Sequence, residues 1–537
     1  MAEEKVFARK ASGLVRGLSL LDAFGVGFMN QGLTPSMWVM ISLGLSVYTG
    51  GNLIIATILS AVMCGIGFSL VWGILGGSMP RSGGEYIYNS RILSPLIGIA
   101  ESFGNAFVWI MWIYVLAPWT VDPGLVMLFQ FLGMPQVADF LSQPLALFLI
   151  ASLVNLIALF FLVFGIKVFA QAQKIVMALG ILGALVILLV FTFTSREAFV
   201  QAWNDLAAEY GSLSYDQFLA AAQAEMEAAG KTLPVTWNWF DTLGVMVAGS
   251  WLFAYSYCIT FIAGEVKRPE KSIILGNLFA ILVPAFFMLW LSIVLYRTVG
   301  FQFLSATAFV DEALGGELAG YTLPWAPHFV GLAAVATRSP ILLFLMALSF
   351  ILFNFWWVAL SYLAFPRILF AWGMDRIGPK WFTDINPRWA TPVKNHILCF
   401  VLGEIGIALY AVWQEQMSGL SVTGLEIVSV FGVTALAATI FPFVKKARHI
   451  WEASPYSHWK IAGIPVVTIG GIVNLIYLAI LFYFFIIMPG LEELTIGSLI
   501  FYVLIWGLGI AWYYFWVARN KRIGIDVSMA YGELPPE

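Results

Sequence analysis

The sequence predicts an all-α integral membrane protein with twelve transmembrane helices. Hydrophobic residues make up 61% of the 537 residues and charged residues only 11%, whereas soluble domains carry about 45–50% and about 25%. A helix needs about 20 mostly apolar residues to cross the hydrocarbon core. The stretches that satisfy this length lie at 18–49, 53–75, 95–120, 144–166, 172–194, 241–264, 273–299, 340–373, 395–414, 424–444, 463–488 and 495–518. These runs are continuous, which disfavours a β-barrel with alternating strands.

The basic residues predict the orientation of the chain in the membrane. If the N-terminus lies in the cytoplasm, 23 of the 27 Lys and Arg residues fall on cytoplasmic segments. Cytoplasmic loops carry such an excess of basic residues. If one early span were miscounted, this bias in the basic residues would disappear. The bias therefore supports an even number of spans. We therefore expect a multi-pass protein of the cell (plasma) membrane with both termini in the cytoplasm.

The loops divide the chain into one membrane domain with a single long insert. The segments are a cytoplasmic N-terminus (1–17), a first set of five helices (18–194), an external insert (195–240), a second set of five (241–444), helices 11 and 12 (463–518) and a cytoplasmic C-terminus (519–537). The insert predicts short helices around 196–209 and 215–229, the second preceded by a Ser214–Gln217 capping box. The sequence of the external segment 300–339 predicts a further short helix at 307–319.

Helices 1 and 6 each carry a glycine-containing interruption. Helix 1 includes Asn30-Gln31-Gly32, and helix 6 includes Gly249 followed by a polar and aromatic stretch. Interruptions at corresponding places in two helix sets are typical of transporters built from inverted repeats. A broken helix frees backbone groups that lipid cannot satisfy, so freed N–H groups suit a carboxylate and freed carbonyls suit an ammonium group. The candidate substrate-binding residues here are Gly27, Phe28, Met29, Asn30, Gln31, Gly32, Phe253, Ala254, Tyr255, Ser256 and Tyr257.

Polar side chains inside the predicted spans are costly in lipid and often functional. Glu101 and Asn105 lie one turn apart on helix 3, and Asn354 lies on helix 8. We expect Asn105 and Asn354 to line the substrate site, and we assign gating or ion coupling to Asp22, Glu101 and Lys174. The sequence shows no catalytic constellation and no metal-ligand spacing. We therefore expect neither an enzyme nor a bound metal or other cofactor.

Aromatic residues make up 16% of the chain, and many Trp and Tyr lie near the ends of predicted spans. Such residues are enriched at the two membrane–water interfaces. We therefore expect Trp109, Trp112, Trp356 and Trp357 to belong to an interfacial belt. The tyrosines at the interruption of helix 6 are an exception to this expectation.

Three polar stretches resemble the signatures of a known family. They are 79–88 (MPRSGGEYIY), 264–272 (GEVKRPEKS) and 367–379 (RILFAWGMDRIGP), the last followed by Asn386-Pro387 and Thr391-Pro392. Over residues 15–445 the chain resembles the amino acid–polyamine–organocation (APC) superfamily of permeases. The resemblance implies a five-plus-five inverted-repeat (LeuT-like) core with discontinuous helices 1 and 6. It also implies a substrate held between the two interruptions, with helices 3, 8 and 10 completing the pocket.

The chain departs from the pattern of this superfamily at four places. Asn30-Gln31-Gly32 stands where Gly-Ser/Thr-Gly is usual, so two amides crowd or replace part of the carboxylate cradle. Tyr255 stands near the usual central glycine of helix 6, and Gly180 where many proton-linked members have a lysine. Pro366 precedes Arg367 in place of a serine. These departures concern substrate identity and ion coupling rather than the fold.

The resemblance implies a secondary active transporter (permease) that moves amino acids across the cytoplasmic membrane by alternating access. A polyamine or other organic cation is the alternative substrate, which the acidic external segments favour. A channel would not need two broken helices, and a membrane enzyme would need a catalytic constellation. Coupling to H⁺ or to Na⁺ is left open, as is the oligomeric state. The expected partners are a small-molecule substrate and the lipid bilayer, with no nucleic acid.

Overall fold

The computed structural model describes residues 16–418, 420, 422–487 and 495–535. Regular structure in these residues is helical, apart from an antiparallel hairpin of Lys460–Ile461 and Ile464–Pro465. A helix or helix pair coincides with each predicted stretch. The bounds are helix 1 (Leu20–Met29 and Leu33–Val47), helix 2 (Leu53–Ser78), helix 3 (Pro95–Phe131), helix 4 (Pro144–Val163), helix 5 (Ile166–Phe193), helix 6 (Trp239–Ala248 and Ser250–Glu265), helix 7 (Pro269–Thr298), helix 8 (Pro340–Met374), helix 9 (Val393–Val412), helix 10 (Val422–Phe443), helix 11 (Val466–Ile487) and helix 12 (Ile496–Arg522).

The helices have the length and apolarity of membrane spans. In the described ranges, ten are long and apolar enough to cross a bilayer, and helix 6 is a pair bent by 44°. Helix 1 consists of two shorter apolar helices on either side of its interruption. The predicted all-helical, multi-pass membrane architecture is confirmed, whereas the number of twelve spans stays a prediction. Residues 1–15 of the predicted N-terminal segment lie outside the described residues.

Short helices occupy several loops between the spans. They are Glu85–Ile92, Pro135–Leu141, Arg196–Tyr210, Tyr215–Ala228, Phe301–Ala313, Phe329–Val335, Gln414–Ser418 and Arg448–Glu452, with 3₁₀ segments at Lys380–Thr383, Lys445–Ala447 and Val527–Tyr531. Both helices predicted in the insert are therefore present. The capping box is also formed, since Ser214 N donates to Gln217 Oε1 at 3.0 Å and Gln217 N donates to Ser214 Oγ at 3.4 Å.

Several predicted helix boundaries are wrong, among them the end of helix 3, which lies at Phe131 rather than at 120. The external helix predicted at 307–319 lies at Phe301–Ala313, because Gly315 and Gly316 adopt positive φ angles of 61° and 83° beyond its end. Helix 12 continues to Arg522 rather than ending at 518. Basic residues in a last turn favour the negative end of the helix dipole, so the cations after 518 extend this helix.

Small residues allow the helices around the interruptions to approach closely. A Cβ added to Gly183 of helix 5 would lie 2.1 Å from the carbonyl oxygen of Leu345 on helix 8. A Cβ on Gly276 of helix 7 would lie 3.3 Å from the backbone nitrogen of Phe24 on helix 1. Membrane helices use small residues at such contacts because their backbones can then pack together. This packing holds helix 1 between helices 5, 7 and 8.

Candidate functional site

The interruption of helix 1 follows Met29 and depends on a glycine. Asn30 and Gln31 form a turn, and Gly32 adopts a φ of 53° before the helix resumes at Leu33. A Cβ on Gly32 would lie 2.9 Å from the Trp357 ring of helix 8. Both the left-handed backbone and the lack of space favour glycine at this position.

The interruption of helix 6 has two parts. The helix bends by 44° at Gly249, and the α-helix then gives way to a 3₁₀ helix at Tyr255–Glu265. A 3₁₀ run of this length is uncommon and often marks a functional hinge. The tighter winding changes which backbone carbonyls have helical partners, and this change occurs beside the interruption of helix 1.

Side-chain amides connect the two interruptions. Asn30 Nδ2 donates to the carbonyl oxygen of Tyr255 at 2.7 Å, and Gln31 Nε2 donates to that of Phe253 at 3.4 Å. The amides that replace the usual small residues of helix 1 therefore bind carbonyls of helix 6. In this state they occupy acceptors that could otherwise bind a substrate ammonium group.

Several buried polar atoms near this connection have no hydrogen-bond partner among the described residues. Asn30 Oδ1, Gln31 Oε1 and Ser256 Oγ belong to fully buried side chains and accept no hydrogen bond there. Both polar atoms of the Asn354 side chain are in the same situation. Because buried polar groups are nearly always hydrogen-bonded, this set identifies a place where ligand atoms can bind.

Aromatic rings surround the region between the interruptions. The centroid of the Trp112 ring lies 4.9 Å from that of Trp357, 5.2 Å from that of Trp251 and 5.5 Å from that of Tyr255. Trp119 stacks on Trp251 at 6.0 Å, on the side of the predicted external surface. Rings in this arrangement exclude water and can bind a cation through their π faces.

The expectation of an interfacial belt is wrong for the four tryptophans that were assigned to it. Trp109, Trp112, Trp356 and Trp357 are all at most 1% exposed. Helix 3 runs on to Phe131 and helix 8 spans Pro340–Met374, so these residues lie well inside their helices. Their burial makes them part of the protein core. Trp112 and Trp357 lie against Tyr255 at the interruption of helix 6, whereas Trp356 packs against Phe161 and Phe169.

The other residues predicted to bind substrate are buried within this region or next to it. Phe28 stacks on Phe24 at 5.3 Å, and Gly27 packs against the backbone of Ser256. Met29 and Ala254 are buried, and the Tyr257 hydroxyl donates to Glu426 Oε1. Contact of these residues with substrate stays a prediction, as it does for all members of the predicted set.

Comparison with known proteins decides the family. A model of the family described as amino acid permease matches residues 18–511. The chain belongs to the amino acid permease family. The predicted membership of the APC superfamily is thereby confirmed, and with it the polytopic membrane fold of this permease.

Relatives of the permease include three proteins of Arabidopsis thaliana. It is 22% identical over 408 residues to "Cationic amino acid transporter 4, vacuolar", which covers 72% of this chain and 58% of the relative. It is 22% identical over 401 residues to "Cationic amino acid transporter 2, vacuolar", a match that covers 71% of this chain and 53% of the relative. It is 24% identical over 203 residues to "Cationic amino acid transporter 3, mitochondrial", a match that covers 37% of this chain and 29% of the relative. The permease thus spans less than two thirds of the length of these relatives.

Ion pairs join the ends of the helices on the predicted cytoplasmic side of the permease. Arg367 Nε of helix 8 contacts Glu265 Oε1 of helix 6 at 2.7 Å, with both side chains 2% exposed. Lys174 Nζ of helix 5 contacts Asp22 Oδ1 of helix 1 at 2.8 Å. The Leu18 amide donates to the carbonyl oxygen of Glu265 at 3.0 Å. Asp22 and Lys174, two of the predicted gating or coupling residues, are therefore in contact, while their roles stay predictions.

A second buried ion pair joins Arg91, three residues after the first sequence signature, to Asp375 of the third. Arg91 Nη1 and Nη2 donate to Asp375 Oδ2 and Oδ1 at 2.7 and 2.9 Å. Tyr86 Oη donates to Asp375 Oδ2 at 2.8 Å, and the Tyr531 ring of the C-terminal segment lies 5.1 Å from the Arg91 guanidinium carbon. These residues thus join the loops on the predicted cytoplasmic side rather than lining the region between the interruptions.

Sequence reasoning missed two acidic residues of the interior. Glu426 lies at the outer end of the stretch predicted at 424–444, yet it is fully buried and binds Tyr257. Glu85 belongs to a signature between the predicted spans 53–75 and 95–120, yet it is also fully buried and accepts hydrogen bonds from Trp72 and Asn105. The signal that could have indicated both was an acidic residue within or beside an apolar stretch. Asn105, predicted to bind substrate, is thus bonded to Glu85.

Proposed function

We propose that this permease carries amino acids across the cell membrane by alternating access, with the substrate between the interruptions of helices 1 and 6. The supporting observation is the set of unpartnered acceptors Asn30 Oδ1, Gln31 Oε1 and Ser256 Oγ. They suit a substrate ammonium group. The second half of helix 1 starts at Leu33 without a side-chain cap, and N–H groups at a helix start suit a carboxylate. Family membership and the names of the relatives support the same substrate class.

Contacts on both sides of the site suit an alternating-access cycle. Trp38 Nε1 donates to Asp311 of an external helix at 2.8 Å, and its ring lies 5.5 Å from Trp119. The ion pairs Glu265–Arg367 and Asp22–Lys174 lie at the cytoplasmic ends of the helices. Release into the cytoplasm requires the ion pairs to separate while the external contacts hold. The excess of basic residues on one set of loops supports cytoplasmic termini.

A polyamine or another organic cation is the second candidate substrate. The aromatic rings around Trp112 and the unpartnered acceptors both suit a positive charge. The two classes differ in one group, since an amino acid also needs donors for its carboxylate. A comparison of each amino acid with its decarboxylated amine therefore distinguishes them.

The first experiment is a thermal-shift panel on the purified permease. Amino acids, their decarboxylated amines and polyamines are each tested in detergent, because a ligand of the folded state at a hundredfold excess over Kd adds about 2.7 kcal/mol of stability. We expect a shift with one class of amino acid and a smaller shift with the matching amine. Equal or larger shifts with the amines contradict amino acid recognition and support the organic-cation alternative.

Replacing Gln31 or Tyr255 by alanine is expected to lower kcat/KM for uptake by about tenfold, about 1.4 kcal/mol. The reason is that Gln31 bonds the two interruptions and Tyr255 forms part of the ring cluster. The measurement is uptake of labelled substrate into proteoliposomes. Gln201→Ala and Tyr210→Ala, on the external insert, serve as controls and are expected to retain uptake. Unchanged kinetics in both test variants contradict the proposed location of the site.

A further inference from the structure

A second polar cluster lies where the short helix Glu85–Ile92 meets helices 3 and 10. Asn105 Nδ2 of helix 3 donates to Glu85 Oε2 at 3.0 Å, and Trp72 Nε1 of helix 2 donates to Glu85 Oε1 at 2.8 Å. Glu101 lies one helical turn before Asn105, which brings its side chain to the same face. The four polar side chains of the cluster are at most 1% exposed: Glu85, Asn89, Glu101 and Asn105.

This cluster contains more acceptors than donors. Neither carboxyl oxygen of Glu101 has a hydrogen-bond partner in the described part of the chain, and the same is true of Asn89 Oδ1 and Asn105 Oδ1. The orientations of the two amides are determined, because Asn105 Nδ2 donates to Glu85 and Asn89 Nδ2 donates to Thr434 Oγ1 at 3.0 Å. A buried carboxylate with no well-formed hydrogen bond and no cation beside it is strongly disfavoured, although the Asn89 amide is close enough to interact with it. A protonated Glu101 instead becomes a donor to a neighbouring acceptor.

The charges around Glu101 point to the same state. The ionisable group that interacts electrostatically with Glu101 is Glu85. Glu85 also interacts electrostatically with Tyr257, whose hydroxyl donates a hydrogen bond to Glu426. The guanidinium groups on nearby elements are already paired, Arg91 with Asp375 and Arg367 with Glu265. Burial raises the pKa of the Glu85 carboxyl to about 7, although hydrogen bonds from Trp72, Asn105 and other donors act in the opposite direction. Two adjacent buried carboxyls cannot both carry a charge cheaply, so one of them holds a proton.

We propose that Glu101 carries the coupling proton of this permease and shares it with Glu85. This inference rests on the proposed transport function and names its driving ion. The pair is connected to the substrate region, because Trp72 binds Glu85 and its ring lies 5.9 Å from that of Tyr257, two residues after Tyr255. In the closed state the proton is on a carboxyl oxygen of Glu101. When the cytoplasmic side opens, this proton passes to cytoplasmic water and leaves two carboxylates. The pair takes up its next proton from the external side, when the site opens there.

Glu101→Gln tests the proposal because glutamine keeps the shape of the side chain and cannot release a proton. Proteoliposomes are loaded with a pH-sensitive dye, and the membrane potential is clamped at zero. For one proton per substrate, a one-unit pH difference drives about a tenfold accumulation, about 1.4 kcal/mol. Sodium is replaced by an organic cation, so that a proton gradient is the driving force. Under this condition we expect the wild type to show the accumulation and a substrate-dependent proton influx. In Glu101→Gln both are lost, and accumulation falls far more than substrate exchange at equal pH.

Glu404→Gln is the matched control, since Glu404 of helix 9 accepts from Asn155 at 2.8 Å outside this cluster. It is expected to keep proton-driven accumulation. Proton influx that persists in Glu101→Gln, or accumulation that requires sodium, overturns the proposal while the transport function stands. If Glu101→Gln does not yield folded protein, Glu101→Asp is expected to shift the pH at half-maximal uptake, and an unchanged pH profile is evidence against the proposal.

An infrared measurement separates this proposal from the transport function. A protonated carboxyl group has a C=O stretching band that a carboxylate lacks. We expect one such band in the wild type to disappear in Glu101→Gln and to persist in Glu404→Gln. A wild type that moves no amino acid refutes the transport function, whereas identical spectra of the wild type and Glu101→Gln refute the proton site.

Discussion

Replacing Asp375 by alanine is expected to lower the free energy of unfolding by about 3–5 kcal/mol. The change removes the carboxylate that binds both Nη atoms of Arg91, and both side chains are 0% exposed. The guanidinium then stays buried with its charge uncompensated, beside the rings of Tyr86 and Tyr531. Removal of one partner is far more costly than the net contribution of the pair, because desolvation of the remaining charge is no longer offset.

The measurement is thermal unfolding of purified variants in one detergent. Asp384→Ala is the matched control, because Asp384 forms an ion pair with Lys394 in which the side chains are 49% and 61% exposed. Loss of this exposed ion pair is expected to lower the free energy of unfolding by less than about 1 kcal/mol. The double variant Arg91→Leu with Asp375→Leu should recover part of the stability lost in Asp375→Ala. Similar losses for Asp375→Ala and Asp384→Ala would contradict the importance attributed to burial.

Replacing Gly32 by alanine is expected to reduce kcat/KM for uptake by about tenfold or more, since misplacement of about 1 Å can cost about a hundredfold in a positioned site. The position has a φ of 53°, and the new Cβ would lie 2.9 Å from the Trp357 ring. Relief of this contact moves either Trp357 or the interruption of helix 1. Both lie within the proposed substrate site.

Gly133→Ala separates the effect of crowding from that of backbone strain. Gly133 has a φ of 70°, and a Cβ there would meet nothing within 4 Å. Both variants therefore carry a similar strain, about 1–2 kcal/mol for an L-residue in the left-handed region. Uptake by Gly133→Ala should match that of the wild type once the amount of folded protein is equalised. An equal loss of uptake in the two variants would show that contact with Trp357 is unimportant.

Several features of the site were predictable because they depend on consecutive residues. Gly32 marks the interruption of helix 1, and the change of winding in helix 6 falls at Tyr255, as predicted. The positions of Trp112 and Trp357 were predicted wrongly, because nearness to a span end depends on where the helix stops. Helix 3 continues past its predicted end at 120 through a distorted segment, Thr120–Leu125. The burial of Glu85 was not predicted, because its motif resembles a loop and the neighbouring apolar stretch was the one signal for it.

The sequence by itself determined the membrane class, the order of the helices, the interruptions and the family. These properties depend on the length and apolarity of local stretches, on loop charge and on short motifs, all of which are written along the chain. Only the tertiary structure decided that the amides of Asn30 and Gln31 bind carbonyls of helix 6. It alone also brought Glu101 to the same cluster as Glu85. Contacts between segments depend on how each helix is rotated and packed against its neighbours, and no local pattern contains that information.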